Sequence, residues 1–198
     1  MIRALTFALL CANPALAQDA IRPQEQLRLD AYHDTVGRAL LQAMSSGSRG
    51  DVDWLQEAME GQPLAPLGTS LSGDWDCRTI KLGGDPALVV YAPFKCRFTA
   101  DGTSFVFEKL TGSQRTSGRI TLKDRTMFYL GVGYVADQDP MAYADLPPED
   151  FGTGEIQPQV AIVEQTSPTT ARMLFPAPVN ESLFDVLYLT RELTIPEG

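Results

Sequence analysis

The sequence predicts an α+β protein that is mainly β, an eight-stranded antiparallel barrel with two N-terminal helices packed outside it. Two observations carry this prediction. From residue 72 onward, apolar and polar side chains alternate in short runs that are separated by turn residues. Between residues 23 and 60, by contrast, apolar residues recur at helical spacing. Eight up-and-down strands suffice to close a small barrel, although a two-sheet sandwich would share the same strand count.

The first seventeen residues are typical of a secretory signal peptide. Arg3 precedes an apolar run, and Ala15-Leu16-Ala17 forms a small-x-small cleavage site. The apolar run is shorter than the roughly 20 residues that span a bilayer. We therefore expect export to the periplasm or the exterior after cleavage near Ala17. The predicted organisation is a signal peptide (1–17), an N-terminal helical segment (18–68) and a β-barrel domain (69–198).

Two helices are predicted in the N-terminal segment. The first begins at Pro23, whose missing N–H is harmless in a first turn, and continues to Met44. The second runs over residues 52–60, with Asp51 as its N-cap and Gly61 at its end. Both helices have an apolar side, and we expect these sides to cover the barrel.

The β region divides into eight predicted strands at tight turns such as Ala100-Asp101-Gly102 and Lys123-Asp124-Arg125. The strands are predicted at 73–82, 88–99, 103–110, 115–123, 126–135, 157–165, 169–176 and 184–192. Those at 126–135 and 184–192 are apolar on both faces and need cover on the outside. Gly131 and Gly133 share one face, where they either relieve barrel curvature or leave room for a ligand.

Cleavage of the leader leaves two cysteines, Cys77 and Cys96. In an oxidising compartment an even number of cysteines predicts a disulfide, and a pair of buried free thiols is the alternative. If the first two strands form a hairpin, Cys77 lies close to opposite Cys96.

The segment Gly73-Asp74-Trp75 resembles the Gly-x-Trp motif of the calycin superfamily, which includes the lipocalins and the small bacterial metalloprotease inhibitors. The resemblance implies a calycin-like barrel in which Trp75 plugs one end. It also implies that Arg191, near the end of the last strand, packs over Trp75. The whole layout of leader, helical segment, Trp-Asp-Cys strand and acidic proline-rich loop is similar to an exported bacterial family of unknown function (4893 type).

Catalytic and cofactor motifs do not emerge from the sequence. His33 is the only histidine, so a serine triad or a histidine-bearing zinc site would have to form around it. There is no nucleophile elbow, phosphate loop or dinucleotide-binding glycine motif. We expect no enzyme activity and no cofactor or metal. The net charge of −9 also argues against nucleic acid as a partner.

The longest connection, residues 136–154, is the candidate interaction loop, since long loops without periodic structure are often functional. Its acidic and aromatic side chains are the candidate contact residues: Asp137, Asp139, Tyr143, Asp145 and Phe151. A second long connection, 176–182, is expected at the same end of the barrel. The sequence thus favours a non-catalytic periplasmic binding or interaction module, such as an inhibitor of an enzyme, with a protein partner. The alternative is a carrier of a small apolar ligand in the barrel interior.

Overall fold

A computed structural model describes residues 20–147 and 155–192 of the chain. Its strands form one antiparallel sheet in which the first strand also pairs with the last, so the sheet closes on itself. The predicted eight-stranded barrel with helices outside is confirmed, with one short additional strand. The helices are α1 (Pro23–Asp30), α2 (Tyr32–Ser46) and α3 (Arg49–Met59). The strands are β1 (Gly73–Leu82), β2 (Leu88–Val90), β3 (Phe94–Asp101), β4 (Ser104–Lys109), β5 (Gln114–Lys123), β6 (Thr126–Val135), β7 (Gln157–Gln165), β8 (Thr170–Pro176) and β9 (Phe184–Thr190).

The additional strand arises because the predicted strand 88–99 is divided in two. Tyr91-Ala92-Pro93 separates β2 from β3, and proline removes a ladder donor at that point. The chain bends there, so β2 pairs with the upper half of β1 and β3 with its lower half. β2 thereby leaves the barrel wall and contacts α3.

The helical segment differs from its prediction in two details. The first helix is interrupted at Ala31, because α1 packs on β7 while α2 packs on β1, β8 and β9. One straight helix would not follow that curved surface. The third helix begins earlier than predicted, because the N-cap is Ser48 and not Asp51. The Ser48 hydroxyl accepts a hydrogen bond from the Asp51 N–H at 3.2 Å and donates one to the Asp51 carboxylate at 2.7 Å.

Both strands that the sequence identified as doubly apolar are covered on the outside, but the helices expected to cover them cover only β9 in this way. On β9, Val186 and Tyr188 pack with Ala39 of α2 and Leu55 of α3. The outer face of β6 is covered differently, by the segment that follows the strand. There Tyr143 and Leu146, in and after a short 3₁₀ turn (Tyr143–Asp145), complete a third apolar cluster with residues of β6 and β7.

The lower half of the barrel interior is filled by aromatic rings. Trp75, Phe98, Phe107 and Tyr129 form a continuous series in which neighbouring ring centroids lie 4.8–5.9 Å apart. Phe175 extends the series, with its ring centroid 6.0 Å from that of Tyr129. Rings at these separations are in favourable contact. The lower interior therefore has no room for a ligand.

The end of the barrel that contains Trp75 is closed, and we call it the closed end. The Trp75 indole N–H donates to the Leu71 carbonyl at 2.7 Å, and the Arg191 guanidinium lies 4.2 Å from the centre of the Trp75 ring. Arg191 also donates to the carbonyls of Ser70, Ser72 and Pro168 at 2.7–2.9 Å. This arrangement ties the last strand to the start of the first.

The disulfide between Cys77 and Cys96 joins β1 to β3 just above the closed end. Cys96 lies opposite Trp75 in the ladder, and Cys77 lies opposite Phe94. The bridge is therefore diagonal, with a Cα–Cα distance of 5.9 Å, two residues out of the direct pairing. The charged neighbours face outward, where Asp74 pairs with Arg97 and Asp76 pairs with Lys95.

Candidate functional site

The opposite end of the barrel is open and contains a cavity of about 320 Å³, which we call the mouth cavity. It is formed by the upper inward-facing residues of the strands together with the connection 178–181 and Glu155. Val135 and Glu155, which flank the 136–154 connection, line this cavity together with residues 178–181, so the two long connections leave from the same end of the barrel, as expected. The inward residues that matter for its chemistry are Lys81, Lys109, Thr116, Gln159 and Asp185.

The floor of the mouth cavity is a chain of hydrogen bonds. The Thr116 hydroxyl oxygen lies 2.5 Å from the Tyr129 hydroxyl and 2.6 Å from the Gln159 side-chain oxygen. If Thr116 donates to Gln159, Tyr129 must donate to Thr116, since each hydroxyl has one proton. Burial raises the pKa of Tyr129 far above its usual value, which keeps this proton in place. The Gln159 amide nitrogen is then a donor at the cavity wall.

The two glycines of β6 make room for these floor residues rather than for a ligand. A Cβ at Gly131 would collide with the Tyr129 hydroxyl, and one at Gly133 would lie 2.6 Å from the Gln159 amide nitrogen. The side chains of Tyr129 and Gln159 therefore lie flat against the β6 backbone.

Lys109 is the most unusual side chain of the mouth cavity. It is only 8% exposed, and its ammonium donates to the Gln114 carbonyl at 2.8 Å and lies 4.0 Å from the centre of the Phe94 ring. Among the described residues, no carboxylate lies within salt-bridge distance of it. Burial, and then the positive charges of Lys81 and Arg115, lower its pKa to about 8.

The remaining charges of the mouth cavity are arranged around Lys81. Its ammonium pairs with Glu181, and Asp185 lies directly opposite it in the β1–β9 ladder. Burial alone would lower the pKa of Lys81, but the hydrogen bond that its ammonium donates to Glu181 and the charge of Asp185 raise the pKa overall. Burial raises the pKa of Asp185 to about 6, although the Ser182 hydroxyl donates to it at 2.6 Å.

Two arginines add positive charge to the same wall. Arg115 donates from Nε to the Gly112 carbonyl at 2.8 Å, and Arg28 of α1 donates to the carbonyls of Pro158 and Pro176 at 2.9 and 3.2 Å. Within residues 20–147 and 155–192, neither forms an ion pair with a carboxylate. Four basic residues (Arg28, Lys81, Lys109 and Arg115) and three acidic residues (Glu155, Glu181 and Asp185) line the mouth cavity, so basic residues outnumber acidic ones there although the net charge of the protein is −9.

Only some of the predicted contact residues of the candidate interaction loop are exposed. Asp137, Asp139 and Asp145 are exposed, whereas Phe151 lies outside the described residues. Tyr143 is not an exposed contact residue, and that interpretation is corrected. Its hydroxyl donates to the buried Glu25 carboxylate at 2.9 Å and accepts from the Arg22 N–H at 3.2 Å.

Metal and histidine chemistry find no further support in the described part of the chain. Among residues 20–147 and 155–192, no three His, Cys, Asp or Glu side chains are placed to hold a metal ion. His33 is exposed on α2, with its ring beside that of Tyr32.

Sequence reasoning missed the mouth cavity, although a signal for it was present. Lys81 is separated from Trp75 and Cys77 by an even number of positions on β1, and so is Lys109 from Phe105 and Phe107 on β4. Because side chains alternate along a strand, these two lysines had to point into the barrel.

The fold and the site define a small closed β-barrel protein with a helical cover, a filled closed end and a polar cavity at the open end. Within the described residues, none of the helices is both long and apolar enough to cross a membrane. The chain belongs to the family described as a domain of unknown function (DUF4893), whose family model matches residues 18–189. No curated protein and no solved structure matches the chain.

Proposed function

We propose that this protein is a non-catalytic, exported binding protein that holds a small anionic ligand in the mouth cavity. The observation that carries the proposal is Lys109, a buried ammonium without a carboxylate partner among the described residues, beside a cavity of about 320 Å³. A buried charge is costly until it is paired, and an anion that enters the cavity supplies the missing partner.

The lining of the mouth cavity also indicates which chemical groups the ligand would carry. Lys109, Arg115 and the Gln159 amide suit a carboxylate, while Phe175 and Leu187 offer an apolar surface below. The cavity volume of about 320 Å³ lies at the lower end of the range of small-molecule sites, roughly 300–1,000 Å³. A compact amphiphile with a carboxylate fits these features better than the wholly apolar ligand that the sequence suggested.

Export is supported by the disulfide, which is typical of oxidising compartments, together with the N-terminal sequence. The predicted signal peptide (1–17) lies outside the described residues. The family match begins at residue 18, directly after the proposed cleavage site.

Isothermal titration with phenylacetate and phenylacetamide tests the proposal, since the two ligands have similar shape and differ in charge. We expect saturable binding of phenylacetate and at least about tenfold weaker binding of the amide, which is a difference of roughly 1.4 kcal/mol. Lys109→Met is expected to reduce the affinity for phenylacetate by a similar factor. Lys123→Met, at an exposed position, is the matched control. Equal affinity of the two lysine variants, or the absence of saturable binding, would overturn the proposal.

A second candidate function is a protein-interaction or inhibitor module that uses the segment 136–147. Asp137, Asp139 and Asp145 are exposed there together with Met141, which is 38% exposed. The hydrogen bond from Tyr143 to Glu25 fixes the segment to α1, so a partner would meet a surface that is already ordered. Incubation with periplasmic proteases and lysozymes tests this candidate, and unchanged enzyme activity together with an empty pull-down counts against it.

A further inference from the structure

The surroundings of Lys109 bear on a second kind of chemistry, because a lysine amine is a nucleophile when it is neutral. Two features favour the neutral amine in proteins, namely burial beside apolar groups and the proximity of other cations. Lys109 has both. It is only 8% exposed, and Arg115 and Lys81 line the same cavity.

We propose that the Lys109 ε-amine captures a small aldehyde that carries a carboxylate, as a reversible imine in the mouth cavity. This inference rests on the proposed function, since the aldehyde must enter the same cavity and its carboxylate must meet the same cations. Neither the sequence motifs nor the family match assigns a covalent site to this chain.

The reaction balances without any further reactant. The nitrogen lone pair of Lys109 attacks the carbonyl carbon, a C–N bond forms, and the carbonyl π pair moves to oxygen. Proton transfer from nitrogen to oxygen gives a carbinolamine. Loss of water then leaves a C=N bond, so that one amine and one aldehyde give one imine and one water. No atom is oxidised or reduced overall.

Lys109 meets the requirements for this step better than the other lysines. The chain has four lysines, of which Lys81 pairs with Glu181 and Lys95 pairs with Asp76 at the surface. With a pKa of about 8, roughly a quarter of the Lys109 amine is neutral at pH 7.5, against about 0.1% for a lysine of ordinary pKa. Its burial also shields an imine from bulk water, which slows hydrolysis.

The carboxylate of the aldehyde has a place in the same geometry. The Nε of Arg115 donates a hydrogen bond to the Gly112 carbonyl. Gly112 itself lies close to the Lys109 amine, because a Cβ added at Gly112 would be 3.5 Å from the Lys109 nitrogen. A cation is thus anchored one short turn away from the amine. An aldehyde with a carboxylate is therefore held by charge while its carbonyl reacts.

The test is reductive trapping of the purified protein with 4-carboxybenzaldehyde and sodium cyanoborohydride, followed by peptide mass mapping. The reductant converts each imine into a stable secondary amine. We expect Lys109 to be labelled at least tenfold faster than Lys95 and Lys123, with a rate that saturates in aldehyde and falls when phenylacetate is added. Benzaldehyde, which lacks the carboxylate, is expected to label Lys109 more slowly. The chain's α-amino group is mapped as a separate peptide.

Titration of the wild-type protein with phenylacetate separates this inference from the proposed function, because it measures anion binding without any covalent step. Lys109→Arg forms no such imine under these conditions, and we expect this variant to lose the fast labelling. Lys123→Arg is the matched control and keeps it. Labelling of Lys109 at the rate of Lys95 and Lys123 overturns the inference and leaves the proposed function standing. Loss of phenylacetate binding by the wild-type protein overturns the proposed function instead.

Discussion

Replacing Asp185 by asparagine measures the cost of holding a carboxylate in the wall of the mouth cavity. Asparagine has nearly the same volume and accepts the hydrogen bond that Ser182 donates, so the substitution removes the charge and little else. Burial raises the pKa of Asp185 from an ordinary value of 3.8 to about 6. The ionised form is therefore disfavoured in the folded state.

The size and sign of the effect follow from that shift. About two pKa units correspond to roughly 3 kcal/mol of differential stability between the protonation states. Because the folded-state pKa lies above the unfolded one, this contribution is fully present below about pH 4 and is lost as the pH rises through 6. At pH 7.5 the wild-type protein has lost it, whereas Asp185→Asn has no charge to lose.

Urea unfolding monitored by circular dichroism at pH 4, 5.5 and 7.5 measures this difference. We expect the two proteins to have similar unfolding free energies at pH 4, and Asp185→Asn to be the more stable by up to about 3 kcal/mol at pH 7.5. Asp139→Asn in the exposed segment is the control and should follow the wild type at each pH. Parallel pH profiles for Asp185→Asn and the wild type would refute the reasoning, since the carboxylate would then be as well solvated in the fold as in the unfolded chain.

Three further predictions test the structure. Replacing Cys77 and Cys96 together by alanine should lower the unfolding free energy by about 3 kcal/mol, because the bridge closes a loop with a sequence separation of 19; a loss below 1 kcal/mol in urea unfolding would contradict this. Arg172→Met should cost about 3 kcal/mol, because the buried guanidinium pairs with a glutamate and donates to three carbonyls at the end of α3. The exposed Arg97→Met should cost clearly less, so equal melting temperatures for these two variants would count against that role. Tyr143→Phe should cost about 1–2 kcal/mol and speed hydrogen exchange in 136–147, whereas unchanged exchange would show that the hydroxyl does not fix the segment.

Much of the fold was predictable because alternation and turn residues act locally. The strand that contains Trp75 and Cys77, its partner with Cys96, and the packing of Arg191 over Trp75 all follow from short-range patterns or from the family resemblance. The interruption at Ala31 was not predictable, because no proline or glycine marks it. It is set by the surfaces that α1 and α2 cover, which exist only in the folded barrel.

The site was harder to predict than the fold for a physical reason. Charged residues in strands usually face water, so a lysine that faces the barrel interior runs against the usual pattern. The alternation along β4 sets the inward direction of Lys109, but its burial depends on how far the aromatic series rises inside the barrel, and that height is a property of the packed interior. The alternation of side chains along β4 indicates that Lys109 faces the interior. Only the dimensions of the folded barrel show that Lys109 also lies below the rim.

The closed end has a consequence for how this protein changes under selection. The disulfide and the contact between Trp75 and Arg191 lie at one pole of the barrel, while the mouth cavity lies at the other. Substitutions that are far apart and share no partners act nearly independently on stability. Residues such as Lys81, Gln159 and Asp185 can therefore be exchanged in combination with little penalty carried over to the disulfide-bonded pole. The barrel is therefore suited to directed evolution, in which the residues of the mouth cavity are varied while those of the closed end are kept constant.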